Sequence, residues 1–196
     1  KSKAELDKSE ISLDQYKSKS QLEFNKAKRQ LKDAENSMNL TSLAVEQSKE
    51  ALRIRTNRYE QGLEKGYAYI SYVSSHATVL TDKIGENCFI LEDNTIQAYV
   101  TIGNNCVLWS GNHIGHHGII GDHVFFTSHV VLSGRCEVGD YCFFGVNATI
   151  RDKSVLGEGT LIAMGANLTR QKTEPWSIWK GNPAEKSSLS SKDIKI

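Results

Sequence analysis

From Lys1 to Gln61 the chain contains neither proline nor glycine, so the two residues that most often interrupt a helix are missing from its first third. Net charge is nearly absent as well, with 24 Lys and Arg against 23 Asp and Glu. So even a balance implies no general affinity for nucleic acid or for an anionic membrane surface. No apolar run approaches the roughly 20 residues of a spanning helix, and the N-terminus lacks a signal-peptide core. The expectation is a soluble chain not addressed for export, with no membrane span. At 196 residues it can hold one sizeable domain and an appendage.

Between Ile84 and Leu168 an aliphatic or aromatic residue returns at every sixth position: Ile84, Ile90, Ile96, Ile102, Leu108, Ile114, Ile120, Phe126, Leu132, Val138, Phe144, Ile150, Leu156, Ile162 and Leu168. Period six is neither the 3.6 of a helix nor strand alternation; it belongs to a chain that turns a corner every six residues. A parallel β-helix does this, each hexapeptide supplying one short strand and one corner, and three of them closing a coil. Fifteen hexapeptides give five coils, about 24 Å tall at roughly 4.8 Å per stacked strand.

Two positions before each repeat residue the side chain is mostly small, as at Cys88, Asn94, Val100, Cys106, Ala148 and Ala166. A large and a small inward column would fill a narrow core. All four cysteines (Cys88, Cys106, Cys136, Cys142) fall in the small column and read as buried thiols. Cys88 and Cys106 should stack on adjacent coils, where a disulfide is geometrically conceivable. Glycine often follows the repeat residue (Gly85, Gly103, Gly115, Gly121, Gly139, Gly145, Gly157), suiting either positive φ or close backbone approach.

The proline- and glycine-free start reads as one helix about 90 Å long at about 1.5 Å per residue. A three-four spacing runs through it: Phe24, Ala27, Leu31, Ala34, Met38, Thr41, Val45, Ser48, Leu52, Arg55, Tyr59. That is a coiled-coil seam, and a lone helix carrying it needs helix partners. Gly62, Lys65 and Gly66 end it, and a β-prone run from Tyr67 to Val73 leads into the first coil. The expected fold class is an α+β composite, a long N-terminal coiled-coil helix followed by a left-handed parallel β-helix of about five coils with a short C-terminal cap. The expected divisions are 1–65, 66–186 and a polar tail at 187–196.

The helix ending Asn57-Arg58-Tyr59-Glu60-Gln61-Gly62, preceded by Ser48-Lys49-Glu50-Ala51-Leu52-Arg53, resembles the periplasmic helix of TolC-type outer-membrane efflux channels. Over residues 4–65 that resemblance implies a surface at Tyr59, Arg55 and Arg58 facing an adaptor protein. The signal peptide, barrel strands and returning helices of that family are missing, so a channel is not expected.

From Ile70 onward the chain is similar to the hexapeptide-repeat acyltransferases of the NeuD/PglD-like branch, which acetylate sugars or amino-sugar nucleotides. The carrying runs are Ile70-Ser71-Tyr72-Val73-Ser74-Ser75-His76-Ala77, Trp109 to His117, Gly145-Val146-Asn147-Ala148-Thr149-Ile150-Arg151-Asp152, and Gly181-Asn182-Pro183-Ala184. The resemblance implies the left hand of the solenoid, a homotrimer with sites between prisms, acetyl-CoA as donor and a sugar-nucleotide or amino-sugar acceptor. Relatives carry an N-terminal βαβ subdomain that holds the sugar nucleotide, and here the helix stands in its place. Acetyl-CoA implies a cytoplasmic location, which conflicts with a periplasmic helix and marks the chain as composite, a fusion.

Acyl transfer needs a base, oxyanion donors and alignment of both substrates. Histidine suits the first task, and His113, His116 and His117 flank the repeat residue Ile114. His116 aligns with the family's general base. His117 stands where relatives commonly carry an acid, with Asp122 as a conceivable substitute. His117, His123 and His129 share one position in successive hexapeptides and read as exposed corner residues on three faces. No metal site is expected, because zinc ligands must converge within about 2.0 to 2.3 Å of one ion. The resemblance further points to Gly145, Val146 and Gly165 as cofactor-binding, with backbone donors for the thioester carbonyl. Trp176, Trp179 and Lys180 would contact adenine or phosphate, or simply cap the last coil. The alternative to an enzyme is a structural one, a trimerising β-helix that presents efflux-protein-like helices without turnover.

Overall fold

The computed structural model describes residues 21, 23–32, 50–169 and 172–193. The chain divides into two compact units, Lys1–Ala44 and Val45–Ile196. In the first, the described residues are helical over 23–32.

The second unit is a left-handed parallel β-solenoid. Two-residue strands stack into an eight-stranded, a six-stranded and a four-stranded sheet, the three faces of a prism. Strands pair in parallel with those 18 positions on: Phe89 with Val107, Thr95 with His113, Thr101 with Ile119. The first and last pairings are one residue shorter, with Tyr72 opposite Phe89, Thr78 opposite Thr95 and Leu161 opposite Ile178. Those slips hide the terminal coils from a strict period of six. The solenoid therefore has about six turns where the repeat count gave five.

Both inward columns are as expected. Every described repeat residue from Ile90 to Leu168 is buried, and so is the small column from Cys88 to Ala166. Phe126 and Phe144 stack face to face at 4.3 Å and 5°, the tightest ring pair in the core. The four cysteines are buried free thiols. Each of Cys88, Cys106 and Cys142 donates to a carbonyl of the coil wall, at Gly103, Gly121 and Gly157.

The glycines after the repeat residues are there for close approach. A Cβ at Gly85 or Gly121 would lie 2.6 Å or 2.2 Å from atoms of the next coil. Positive φ falls two positions later, in an unbroken series that includes Asn105 (55°), His117 (58°), His123 (60°) and Lys153 (57°). Left-handed backbone costs non-glycine residues roughly 1–2 kcal/mol each. The cost is offset by corner bonds to the coil below, such as His123 N–H to Asn104 O at 2.9 Å.

A helix over 50–64 belongs to this same unit. It ends in a Schellman motif: Gly66 takes φ +76°, the Tyr67 N–H donates to Gly62 O, and the Gly66 N–H to Leu63 O. Its buried stripe of Leu52, Thr56 and Tyr59 lies on the eight-stranded sheet, whose outward column is apolar at level after level. Leu52 joins Val107, Phe125, Phe143, Leu161 and Ile178 in a second apolar cluster. The corresponding column of the six-stranded sheet, Thr78, Thr95, His113, Val131, Thr149 and Asn167, offers no such surface.

The expected coiled coil is corrected accordingly. Among the described residues there are two helical stretches, 23–32 and 50–64, and the seam residues Leu52, Arg55 and Tyr59 are spent on the chain's own solenoid rather than on helix partners. The seam from Ala34 to Ser48 lies outside the described residues. Arg55 donates to Asn105 Oδ1 at 2.8 Å and to the Asn87 carbonyl, and its guanidinium stands over the Phe89 ring. Of the surface expected to meet an efflux adaptor, Arg55 and Tyr59 thus face the solenoid, while Arg58 is exposed.

At the far end, Ser177–Lys180 adds in parallel to the eight-stranded sheet and Glu185–Ser190 returns antiparallel, so ordered strand extends into the stretch expected as a polar tail. Trp179, almost wholly buried, closes the core, its indole N–H donating to Ser177 Oγ at 2.9 Å. Of the two roles considered for Trp179, capping is the one observed.

Candidate active site

The hexapeptide from His113 to Gly118 turns the corner between the six-stranded and four-stranded sheets. Ile114 points inward and is fully buried; Gly115 presses on the coil above, where a Cβ would stand 2.5 Å from Gly134 N. His116 and His117 are thereby pushed out on the prism edge, both exposed.

The two imidazoles meet edge to face, with Nδ1 to Nδ1 at 3.1 Å. Two ring nitrogens at that distance share one hydrogen, so one histidine donates through Nδ1 and the other accepts. Nδ1 of His116 is thus occupied, and Nε2 is the nitrogen left for a substrate. Three neighbours hold the pair. The His116 N–H donates to Gln97 Oε1 at 2.9 Å, and the His117 ring lies on Tyr99 at 4.7 Å between centroids. Gly134 makes room for the His116 ring, since a Cβ there would stand 2.7 Å from Nε2.

Gln97, Tyr99 and Gly134 were not singled out in the sequence. The signal was available: Tyr99 and His117, like His116 and Gly134, are separated by 18 residues, one full coil. Asp122 belongs to another corner, where its Oδ1 accepts from Asn104 N at 2.6 Å while its own N–H donates to Asp140 Oδ1. It supports the wall and does not stand in for the missing acid.

The remaining histidines divide. His129 is exposed, over Gly111. His123 is buried beneath the 50–64 helix, a correction to its reading as an exposed corner residue. Burial holds its pKa below the ordinary histidine value. Among the described residues no three His, Cys, Asp or Glu side chains gather as metal ligands.

Gly145 and Val146 lie at a different edge, where the eight-stranded sheet passes into the six-stranded one, with Gly165 on the coil above. The Gly145 N–H donates to Ile162 O and the Gly165 N–H to Val146 O, both at 2.8 Å. These two amides are committed to the ladder, so what the two glycines offer a ligand is a smooth backbone surface. Within one chain the structure does not bring this edge to His116; the two edges bound the same six-stranded face from opposite sides.

Residues 83–116 match the family described as Bacterial transferase hexapeptide (six repeats). The hexapeptide solenoid is also that of several solved structures. The chain is similar to WeeI from Acinetobacter baumannii AYE, at 21% identity and TM-score 0.66, over 69% of this chain and 66% of that one. It is similar to a mutant of perosamine N-acetyltransferase from Caulobacter crescentus in complex with CoA and GDP-perosamine, at 20% identity and TM-score 0.67, over 70% and 66%. It is similar to the acetyltransferase domain of PglB from Neisseria gonorrhoeae FA1090 in complex with acetyl coenzyme A, at 21% identity and TM-score 0.65, over 69% and 66%. At such identities the likeness establishes the fold. The chain spans 66% of the length of each of these proteins. No curated protein sequence matches it. The hexapeptide core is what these comparisons share with this chain, and the TolC-type resemblance of residues 4–65 finds no counterpart among them.

Proposed function

We propose that this protein is an acetyl-CoA-dependent acetyltransferase acting on an amino sugar or sugar nucleotide, with His116 as general base. The observation that carries the reading is the exposed imidazole pair, in which His117 occupies Nδ1 of His116 and leaves Nε2 for the acceptor. The hexapeptide match and the CoA complexes of structural neighbours support the donor.

In this reading His116 is the donor of the pair, giving its Nδ1–H to His117 Nδ1. The acceptor's amine or hydroxyl therefore attacks the thioester carbonyl carbon while the unprotonated His116 Nε2 takes its proton. The new C–N or C–O bond forms, the C–S bond breaks, and the proton passes from His116 to the departing CoA sulfur. His117 holds the imidazole's orientation. Because His116 and the Gly145, Val146, Gly165 edge lie on different edges of one prism, we place the complete site between neighbouring prisms of a homotrimer. A groove there would take the pantetheine arm past Val146. A cytoplasmic location follows from the donor.

The test is coenzyme A release from acetyl-CoA with a panel of amino-sugar nucleotides, alongside His116→Ala. A general base contributes about 10²- to 10⁴-fold, and kcat should fall by that much in the variant. Binding of acetyl-CoA without turnover on any acceptor would reject the enzyme and leave the solenoid as a scaffold.

A further inference from the structure

His123 sits where the 50–64 helix meets the solenoid, and the donors around it define its protonation state. Arg55, which can only donate, gives its Nε–H to Asn105 Oδ1 at 2.8 Å, and Asn87 Nδ2 donates to the same oxygen at 2.8 Å. The orientation of the Asn105 amide is thereby fixed. Its Nδ2 faces Thr56 Oγ1 at 3.2 Å and His123 Nδ1 at 2.9 Å. The Thr56 hydroxyl, whose oxygen accepts from Asn105, lies 3.4 Å from the same Nδ1. Nδ1 of His123 is therefore an acceptor of the Asn105 amide hydrogen, and the ring is the neutral Nε2–H tautomer. A proton on Nδ1 would set N–H against N–H beneath a buried side chain of the helix.

We propose that His123 is a pH-sensitive latch: protonation of its imidazole on mild acidification unfastens the 50–64 helix from the eight-stranded sheet while the solenoid stays folded. The helix is pinned here by Thr56, Arg55 and Tyr59, whose ring meets His123 edge-to-face at 6.1 Å, and the imidazole stacks on Tyr141 at 4.7 Å. The charged groups facing it are Glu60 from the helix, Asp122 from its own corner and Asp140 from the next coil. All three carboxylates favour the imidazolium, yet burial opposes it and prevails. The neutral form is thus the docked form. Docking is at full strength above the ordinary histidine value of about 6.5, and weakens as pH falls below it. The core cluster contains no residue of the helix, so its coils do not need the helix to close. Undocking uncovers the apolar column of Val107, Phe125, Phe143 and Leu161.

Fluorotyrosine at position 59 of the full chain reports docking by fluorine NMR. The buried signal should pass to a solvent-exposed one between about pH 7.5 and about pH 5, with the docked-to-undocked ratio falling by up to about tenfold per pH unit. Circular dichroism should hold its β signal throughout. The midpoint should coincide with that of the His123 ring proton followed in the same sample. His123→Asn keeps an acceptor near the place of Nδ1 and does not titrate, so its fluorine signal should stay put. The latch is overturned if the unaltered chain shows no transition, if the two midpoints differ, or if His123→Asn undocks over the same range. Should that variant fail to dock at all, the coincidence of midpoints in the unaltered chain decides alone.

Discussion

Gly134→Ala separates the geometry of the imidazole pair from the stability of the solenoid. Gly134 does not have positive φ, so alanine meets no backbone strain there. The added Cβ would stand 2.7 Å from His116 Nε2, against about 3.4 Å for an ordinary contact. The atom it meets is the tip of an exposed, rotatable side chain. The ring can therefore withdraw by about 0.7 Å at little energetic cost. A displacement approaching 1 Å at a reacting group costs up to about 10²-fold in rate. We expect Gly134→Ala to lower kcat by about 10- to 10²-fold while moving the unfolding midpoint by no more than a surface substitution does. Gly115→Ala is the control on the coil below. Its Cβ would meet the backbone of Ser133 and Gly134 at 2.5 to 2.6 Å, where nothing rotatable gives way, and it should destabilise the fold outright. The assays are coenzyme A release and thermal unfolding on the same preparations. Full turnover in folded Gly134→Ala would refute the placement of His116 Nε2 as the working nitrogen. Equal destabilisation by the two substitutions would refute the distinction between side-chain and backbone clashes.

Phe144→Ala removes one partner of the 4.3 Å ring stack in a fully buried column and should cost about 3 to 5 kcal/mol in denaturant unfolding. The Cys142 thiol is pushed up to about 12 by burial. Its proton is held in the folded chain and lost from the unfolded one above the ordinary thiol range. This contribution to stability is complete below about pH 8.5 and declines as pH rises through that value towards 12. Unfolding followed against pH should show the decline, and Cys142→Ala should flatten part of it. A thiol reagent at neutral pH should label none of the four cysteines until the chain is unfolded.

The core was legible because its determinants are local. Ile90, Ile96 and Ile102 each face inward for the same reason, a strand and a corner every six residues, and no distant contact is needed to say so. The corners were half legible. Glycine at 85, 103 or 121 signalled a special position, but two explanations fitted it, and the close approach of coils separated that from the positive φ borne by Asn87, Asn105 and His123. The terminal coils were hidden by one-residue slips at their pairings. His116 and His117 were found as neighbours in sequence. Their supports, Tyr99 and Gly134, lie one coil away, where only the 18-residue stacking interval connects them.

The sequence by itself determined the solenoid, its two inward columns and the outward edge that carries His116, because a repeating hexapeptide places every residue relative to the one before it. Tertiary structure alone decided what the 50–64 helix does. Its stripe of Leu52, Arg55 and Tyr59 is compatible with a partner helix or with a sheet. The choice fell to the apolar column running from Val107 to Ile178, which the helix covers. The same docking turned His123 from a corner residue like His117 into a buried acceptor. Thr56, Asn105 and His123 lie 18 to 67 positions apart, and no periodicity in the chain links the helix to the corners it covers.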